Sequence, residues 1–316
     1  MIRQALCGVI ISFCLLFSNS IFADEAFITA QNGQSLDIID LTSMTTRVSV
    51  PIAGKPAGVA LSKDGRRVFV TSPEGRFITI VDSKAGRIEK QIPINGGPLG
   101  VVVSGTGERL YVTDFYDDRL VEIDLNTQKQ RSLPIGSKPA GLALTPDGKT
   151  LLVAARDDNQ IIFVDLQRFS RLDQLIVGRH PYGVTIDADG RRAYVANVES
   201  NTVSVIDLPS RKILAELPVE SHPYGIALAS GRIFVSNQHS ESLSVFDAKD
   251  LTPVATVKVG DYPEGVCASL DGANVYVANW FSNELWAIDA VTLKVRAKTT
   301  TSDGPRAFGL FVAPGL

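Results

Sequence analysis

Apolar and polar residues alternate along the chain in short runs, as in the segment TVSVID at residues 202–207. A period of two residues places every second side chain on one face of a β-strand, whereas a helix needs a period near 3.6. The turn-forming sequences PDG at 146–148, ADG at 188–190 and LDG at 270–272 separate such runs and supply the positive φ that a hairpin requires. The pattern predicts an all-β protein.

A unit of 40 to 42 residues repeats along the chain, and each of its three landmarks appears seven times. The first is Pro-x-Gly before an apolar run, found as KPAGVAL from Lys55, GPLGVVV from Gly97, KPAGLAL from Lys138, HPYGVTI from His180, HPYGIAL from His222, YPEGVCA from Tyr262 and, more loosely, GPRAFGLFV from Gly304. The second is a strand-like run of the kind YVAN, as at residues 194–197. The third is an aspartate that closes the following strand: Asp40, Asp82, Asp124, Asp165, Asp207, Asp247 and Asp289.

The length of the unit predicts its architecture, because about four short strands and their turns make one β-propeller blade. We therefore predict an all-β fold, a seven-bladed β-propeller with four antiparallel strands per blade. The first unit opens at its second strand, near Phe27, and the chain ends with a first strand at residues 309–313. Pairing of this C-terminal strand with the N-terminal strands would close the ring without an exposed sheet edge. One domain, residues 24–316, would then hold all the units.

Residues 1–23 have the layout of a secretory signal peptide, with Arg3 before a mostly apolar run and Ala23 at the cleavage point. The run is shorter than the roughly 20 apolar residues of a membrane-spanning helix, and no later segment is apolar enough to span a bilayer. We therefore expect export to the periplasm of a Gram-negative bacterium, or secretion. Cleavage would leave Cys267 as the one cysteine, in an apolar run that predicts its burial.

The motifs YVTD at 111–114, YVAN at 194–197 and FVSN at 234–237 resemble those of the YVTN-repeat family of exported β-propeller proteins, as do Pro-x-Gly and the run SNTVSVID from Ser200. That family is related to the propeller domain of haem-carrying nitrite reductases, and the resemblance covers essentially all of residues 24–316. It implies a propeller fold and export. It names no activity, because the shared residues are those that build blades.

The alternating direction of the strands sorts the loops onto two faces. The top face holds the Pro-x-Gly loops and the turns after the YVAN-like strands, and the bottom face holds the PDG-like turns and the turns after the landmark aspartates. Acidic residues such as Asp117, Glu199 and Asp261 gather on the top face, while arginines such as Arg66 and Arg191 gather on the bottom face. Aromatic residues fall on the top face, away from the bases, and the net charge is −3, so nucleic acid is not expected to bind.

All three histidines fall on the top face, two of them in equivalent loops of adjacent units. The loops that read KPAG form the same turn without His or Tyr, so either these side chains serve binding or one unit was duplicated. The candidate ligand-binding residues are His180, Tyr182, His222, Tyr224, His239, Tyr262, Glu264, Trp280 and Phe281, with the cations Arg179 and Arg306.

Several functions are compatible with these residues. The leading hypothesis is a binding protein or scaffold that holds a small organic ligand, stacked on Tyr or Trp, or a periplasmic partner protein. The alternatives are a metal-assisted hydrolase or lyase of the propeller lactonase type and an accessory of a periplasmic redox system that uses haem or quinone. A divalent metal would use His180, His222 and Glu264, although no pair has the short spacing of a metal-binding motif. The sequence has neither C-x-x-C-H nor G-x-S-x-G, and no catalytic residue is assigned, which favours binding over catalysis.

Overall fold

The computed structural model describes residues 24–315 as sheets arranged in a ring around a central channel. The signal peptide predicted for residues 1–23 lies outside the described residues. Within residues 24–315 the elements are 29 strands and one short 3₁₀ helix, Gln238–Ser240. In this part of the chain no helix is long and apolar enough to cross a membrane.

The strands form seven sheets, which are the blades of the predicted propeller. Blade 1 consists of Glu25–Ala30, Ser35–Asp40 and Thr45–Pro51, joined by the C-terminal Val312–Ala313. Blades 2 to 4 consist of Gly58–Leu61, Arg67–Ser72, Phe77–Asp82 and Arg87–Pro93; Pro98–Val103, Arg109–Asp114, Arg119–Asp124 and Gln130–Pro134; Pro139–Leu144, Thr150–Ala155, Gln160–Asp165 and Ser170–Ile176. Blades 5 to 7 consist of Pro181–Ile186, Arg192–Asn197, Thr202–Asp207 and Lys212–Pro218; Pro223–Ala229, Arg232–Asn237, Ser242–Asp247 and Pro253–Lys258; Pro263–Ala268, Asn274–Asn279, Glu284–Asp289 and Val295–Thr300.

The C-terminal segment closes the ring, as predicted. Val312–Ala313 pairs antiparallel with Glu25–Ala30 of blade 1, and the short strand Phe308–Gly309 pairs parallel with Gly58–Val59 of blade 2. Phe311 is fully buried in a cluster that joins blades 1, 2 and 7. These contacts pair the strand edges that an open ring would expose.

The Pro-x-Gly landmark has a structural cause at its glycine. A side chain on Gly141 would clash with the backbone oxygen of Tyr182 in the next blade, and Gly183 stands in the same relation to Tyr224. Only glycine allows the first strands to approach this closely around the channel. A hydroxyl from the second strand bridges some of these junctions: Thr113 Oγ1 accepts from Gly100 N at 2.8 Å and donates to Ala140 O at 2.7 Å.

Apolar side chains of adjacent blades pack between the sheets and form the core. The aromatic residue of the second strand is buried in six of the blades: Phe27, Phe69, Tyr111, Tyr194, Phe234 and Tyr276. Cys267 is buried as predicted, and burial raises the pKa of its thiol.

Candidate functional site

The residue between Pro and Gly in each repeat lies near the channel axis at the top face. Six of these residues come from complete Pro-x-Gly loops. The seventh is an arginine from the looser C-terminal repeat. The seven positions are Ala57, Leu99, Ala140, Tyr182, Tyr224, Glu264 and Arg306. Five of them, the aliphatic and aromatic residues, pack with Phe308 in one buried cluster. The ring of blades therefore converts one sequence position into a shared site.

Arg306 is the centre of this site. Its Nε and Nη2 donate to the Tyr224 hydroxyl at 3.0 and 2.7 Å, and Nη2 also donates to the Tyr182 hydroxyl at 2.9 Å. Nη1 donates to Gln31 Oε1 at 3.2 Å. The guanidinium carbon lies 5.8 Å from the centre of the Trp280 ring, within the range of a cation–π contact. We call Arg306, Tyr182, Tyr224 and Glu264 the Arg306 cluster.

Glu264 is the acidic member of the Arg306 cluster. Its Oε1 accepts from Gln238 Nε2 at 2.9 Å, and its Oε2 lies 3.3 Å from Arg306 Nε without hydrogen-bond geometry. Burial raises the pKa of this carboxyl to about 7, although Arg306 and the bond from Gln238 lower it. Burial also raises the pKa of Tyr224 well above its ordinary value, so its phenol stays neutral. The Arg306 cluster thus carries a cation held by the hydroxyls of Tyr182 and Tyr224 and a carboxyl that titrates near neutral pH.

A second group of predicted residues forms a continuous strip farther from the axis. The rings of His222 and His239 stack with centres 3.7 Å apart, His239 lies 5.5 Å from Tyr262, and Tyr262 lies 4.9 Å from Phe281. We call these four residues the aromatic strip. His239 is exposed and Phe281 is 67% exposed, so the strip presents ring faces and edges to solvent across blades 6 and 7. Burial, followed by the neighbouring His239, lowers the pKa of His222.

His180 belongs to neither group. Its Nδ1 lies 2.8 Å from Glu199 Oε1, and the side chain is 26% exposed. The neighbouring Arg179 is exposed and donates from Nη2 to the backbone oxygen of Glu199 at 3.1 Å. The loop backbone does not depend on histidine, since His180 at φ 52° has the conformation of Lys138 at φ 50°.

The structure does not bring together the three residues proposed as metal ligands. His180 pairs with Glu199, His222 stacks on His239, and Glu264 faces Arg306. Among residues 24–315, no three His, Cys, Asp or Glu side chains are placed to share a metal ion. The reason is local: each of the three side chains has a partner of its own, and Glu264 follows the proline of its loop whereas His180 and His222 precede theirs.

Exposed carboxylates surround both groups, as the sorting of the loops predicted. They are Asp117, Asp118, Asp157, Asp158, Glu199, Glu220, Glu241, Asp261 and Asp303. We call them the acidic rim. Asp114, which ends the YVTD motif, does not belong to the rim: it is fully buried and forms an ion pair with Arg119 at 2.9 Å.

Sequence reasoning missed three partners of the Arg306 cluster: Gln31, Gln238 and Phe308. Gln31 and Gln238 hold Arg306 and Glu264 by hydrogen bonds, and Phe308 packs on Tyr182 at a ring distance of 5.0 Å. The signal that could have found the cluster is the alignment of the repeats itself, because the position between Pro and Gly turns polar only in the last units.

Comparisons with known proteins agree with the fold. A family model described as "Lactonase, 7-bladed beta-propeller" matches residues 112–218. Hydrazine synthase from Kuenenia stuttgartiensis superposes with a TM-score of 0.74 at 19% identity, covering 80% of this chain and 89% of that one. A functionally unknown protein from Desulfotomaculum acetoxidans DSM 771 superposes with a TM-score of 0.78 at 14% identity, covering 90% and 99%. No match among curated proteins was found. The chain is thus a seven-bladed β-propeller that is similar to the lactonase family model over about a third of its length, and its resemblance to YVTN-repeat proteins remains a prediction.

Proposed function

We propose that this protein is an exported binding propeller that holds a partner protein on its top face. The observation that carries the proposal is the aromatic strip, which brings four rings into contact in sequence across two blades and leaves Phe281 67% exposed. Buried aromatic and arginine anchors supply most of the binding energy in protein interfaces. An exposed ring that packs on a neighbouring ring, as Phe281 packs on Tyr262, is suited to that role.

The centre of the top face supports a partner protein over a small ligand. Tyr182 and Tyr224 are buried, and the side chain of Arg306 is 17% exposed. These residues fill the end of the channel, where a small molecule would otherwise enter. A small-molecule site is normally a concave pocket that encloses most of its ligand, whereas the filled top face offers a broad surface.

The acidic rim indicates the charge of the partner. Four of its carboxylates, Glu220, Glu241, Asp261 and Asp303, lie on the loops in and beside the two blades that carry the aromatic strip, so a partner with lysines or arginines beside an apolar centre would match both features. Complementary charge of this kind mainly accelerates association and makes it sensitive to salt. The proposed partner is therefore a protein with a basic surface.

Site-specific photo-crosslinking tests the proposal. The photoreactive residue p-benzoylphenylalanine replaces Phe281 in one variant and Val291 in a matched control, which is 60% exposed on the bottom face of the same blade. Irradiation of cells that produce the protein should give a discrete adduct from position 281, identified by mass spectrometry as a protein with a basic surface. Adducts of equal yield from both positions, or none from position 281, would refute the proposal.

A hydrolase of lactonase type is the second candidate, and one contact favours it. His180 Nδ1 lies 2.8 Å from Glu199 Oε1, inside the segment that the lactonase family model matches. A carboxylate on Nδ1 orients an imidazole so that Nε2 can act as a general base toward water. The test is hydrolysis of δ-valerolactone, with and without added Zn²⁺. Activity that His180→Gln abolishes and His239→Gln retains would support this candidate, and no hydrolysis above the uncatalysed rate would exclude it.

A further inference from the structure

A cavity of about 490 Å³ occupies the central channel below the Arg306 cluster. The first strands of the blades line it with aliphatic side chains, among them Val102, Leu144, Ile186 and Val266. Tyr224 and Phe308 line it as well and belong to the buried cluster at the top face. The cavity is therefore closed toward the top face, and its volume lies within the range of about 300 to 1,000 Å³ that is typical of small-molecule sites.

The mouth of the cavity lies on the bottom face, and its two sides differ in polarity. One side is apolar, with Leu270 57% exposed and Leu310 71% exposed. The other side is polar and consists of Ser62, Lys63 and Ser104, from the turns that follow the first strands of blades 2 and 3. Exposed leucines beside an apolar cavity extend its apolar surface to the solvent.

The charges of the lining point to one class of ligand. Among the described residues that line the cavity, the ionisable side chains are Lys63 and Tyr224. The Tyr224 hydroxyl is already held by Arg306, so Lys63 is the one charged group that a ligand in the cavity would meet. An aliphatic body with one anionic end matches an apolar wall with one cation at its mouth.

We propose that the channel binds a single-chain aliphatic carboxylate, with the chain between the first strands and the carboxylate at Lys63. A first strand of six residues spans roughly 20 Å at about 3.3 Å per residue, which exceeds the length of extended decanoate. Transfer of the chain from water into the apolar channel drives binding, and Lys63 selects the charge of the head. The site lies on the opposite face from the proposed partner surface and does not depend on it.

Calorimetric titration of the full chain with decanoate, below its critical micelle concentration, tests the proposal. Saturable binding of one decanoate per chain is expected, with a negative heat-capacity change from apolar burial. Ala143→Phe places a ring in the channel and should weaken binding by about tenfold or more. Lys63→Met should weaken decanoate binding by about fivefold, as loss of an exposed ion pair does, and leave 1-decanol unaffected. Lys84→Met, in a bottom-face groove outside the channel, is the matched control.

Three results would overturn the proposal: no saturable binding of decanoate, equal binding by a folded Ala143→Phe variant, or tighter binding of decyltrimethylammonium than of decanoate. If the Ala143→Phe variant does not fold, photo-crosslinking of the parent protein with a diazirine-bearing decanoate locates the site instead. Crosslinks to the first-strand peptides support the channel, and crosslinks confined to the outer strands overturn it. A separate experiment measures binding of the protein to phosphatidylglycerol vesicles. If the Ala143→Phe variant still binds the vesicles and free decanoate does not bind the protein, the ligand is a membrane surface and the channel is not the site.

Discussion

The Tyr224 hydroxyl accepts two hydrogen bonds from Arg306, at 3.0 and 2.7 Å, although the residues are 82 positions apart in the chain. Tyr224 comes from blade 6, and Arg306 comes from the segment that crosses from blade 7 to the closing strands. The contact therefore links closure of the ring to the geometry of the top face.

Loss of Arg306 should destabilise the fold. Arg306→Met leaves Gln31 Oε1 and Glu264 without their cationic partner, and we expect a cost of about 2–4 kcal/mol in the free energy of unfolding. Guanidinium denaturation, followed by circular dichroism, measures the change. The double variant Arg306→Met/Glu264→Gln should recover part of the lost stability, because the second substitution removes the buried carboxyl that Arg306→Met leaves without its partner. The exposed Arg179→Met should stay within about 0.5 kcal/mol of the parent, and an equal loss there would contradict the account.

Stability should fall as pH rises through the titration of Glu264. The folded-state pKa of about 7 lies above the ordinary glutamate value of 4.5, so the stabilising contribution of the protonated carboxyl is complete below pH 4.5. Above that value the unfolded chain releases its proton first, and the contribution is lost as pH approaches and passes 7. The difference in unfolding free energy between the parent and Glu264→Gln should change by about 2–3 kcal/mol over this window. A difference that does not vary with pH would show that the carboxyl does not titrate there.

The contribution of the Thr113 hydroxyl to the free energy of unfolding should be measurable by the same denaturation experiment. Thr113→Val keeps the shape of the side chain but leaves Gly100 N and Ala140 O without a partner, at a cost of about 1–3 kcal/mol. Thr113→Ser keeps the hydroxyl and should cost clearly less. A Thr113→Val variant as stable as the parent, with the loss confined to Thr113→Ser, would show that packing of the methyl group rather than the hydrogen bonds holds this junction together.

The blades could be predicted from sequence because the signals that define them are local. Turn chemistry, a period of two and Pro-x-Gly recur within every unit, and the phase of the repeat at Phe27 was enough to predict how the ring closes. Each of these features depends on neighbours in the chain or on the adjacent blade.

The arrangement of the top face could be predicted only in part. Which residues share that face follows from strand direction, and the structure places Tyr182, Tyr224, Glu264 and Arg306 in one cluster. Their distances from the axis depend on side-chain conformation and on the packing of all the blades. For that reason His180 and His222, which are equivalent in sequence, have unrelated partners.

The affinity of the crosslinked partner for top-face variants tests the central claim most directly. Once that protein is identified, its dissociation constant is measured by calorimetry for the parent, for His239→Ala/Phe281→Ala and for the bottom-face control Val291→Ala. We predict a loss of about 2 kcal/mol or more, roughly 30-fold in affinity, for the double variant alone, with weaker binding at high salt. Unchanged affinity of a folded double variant, or an equal loss in the control, would contradict the assignment of the aromatic strip as the binding surface.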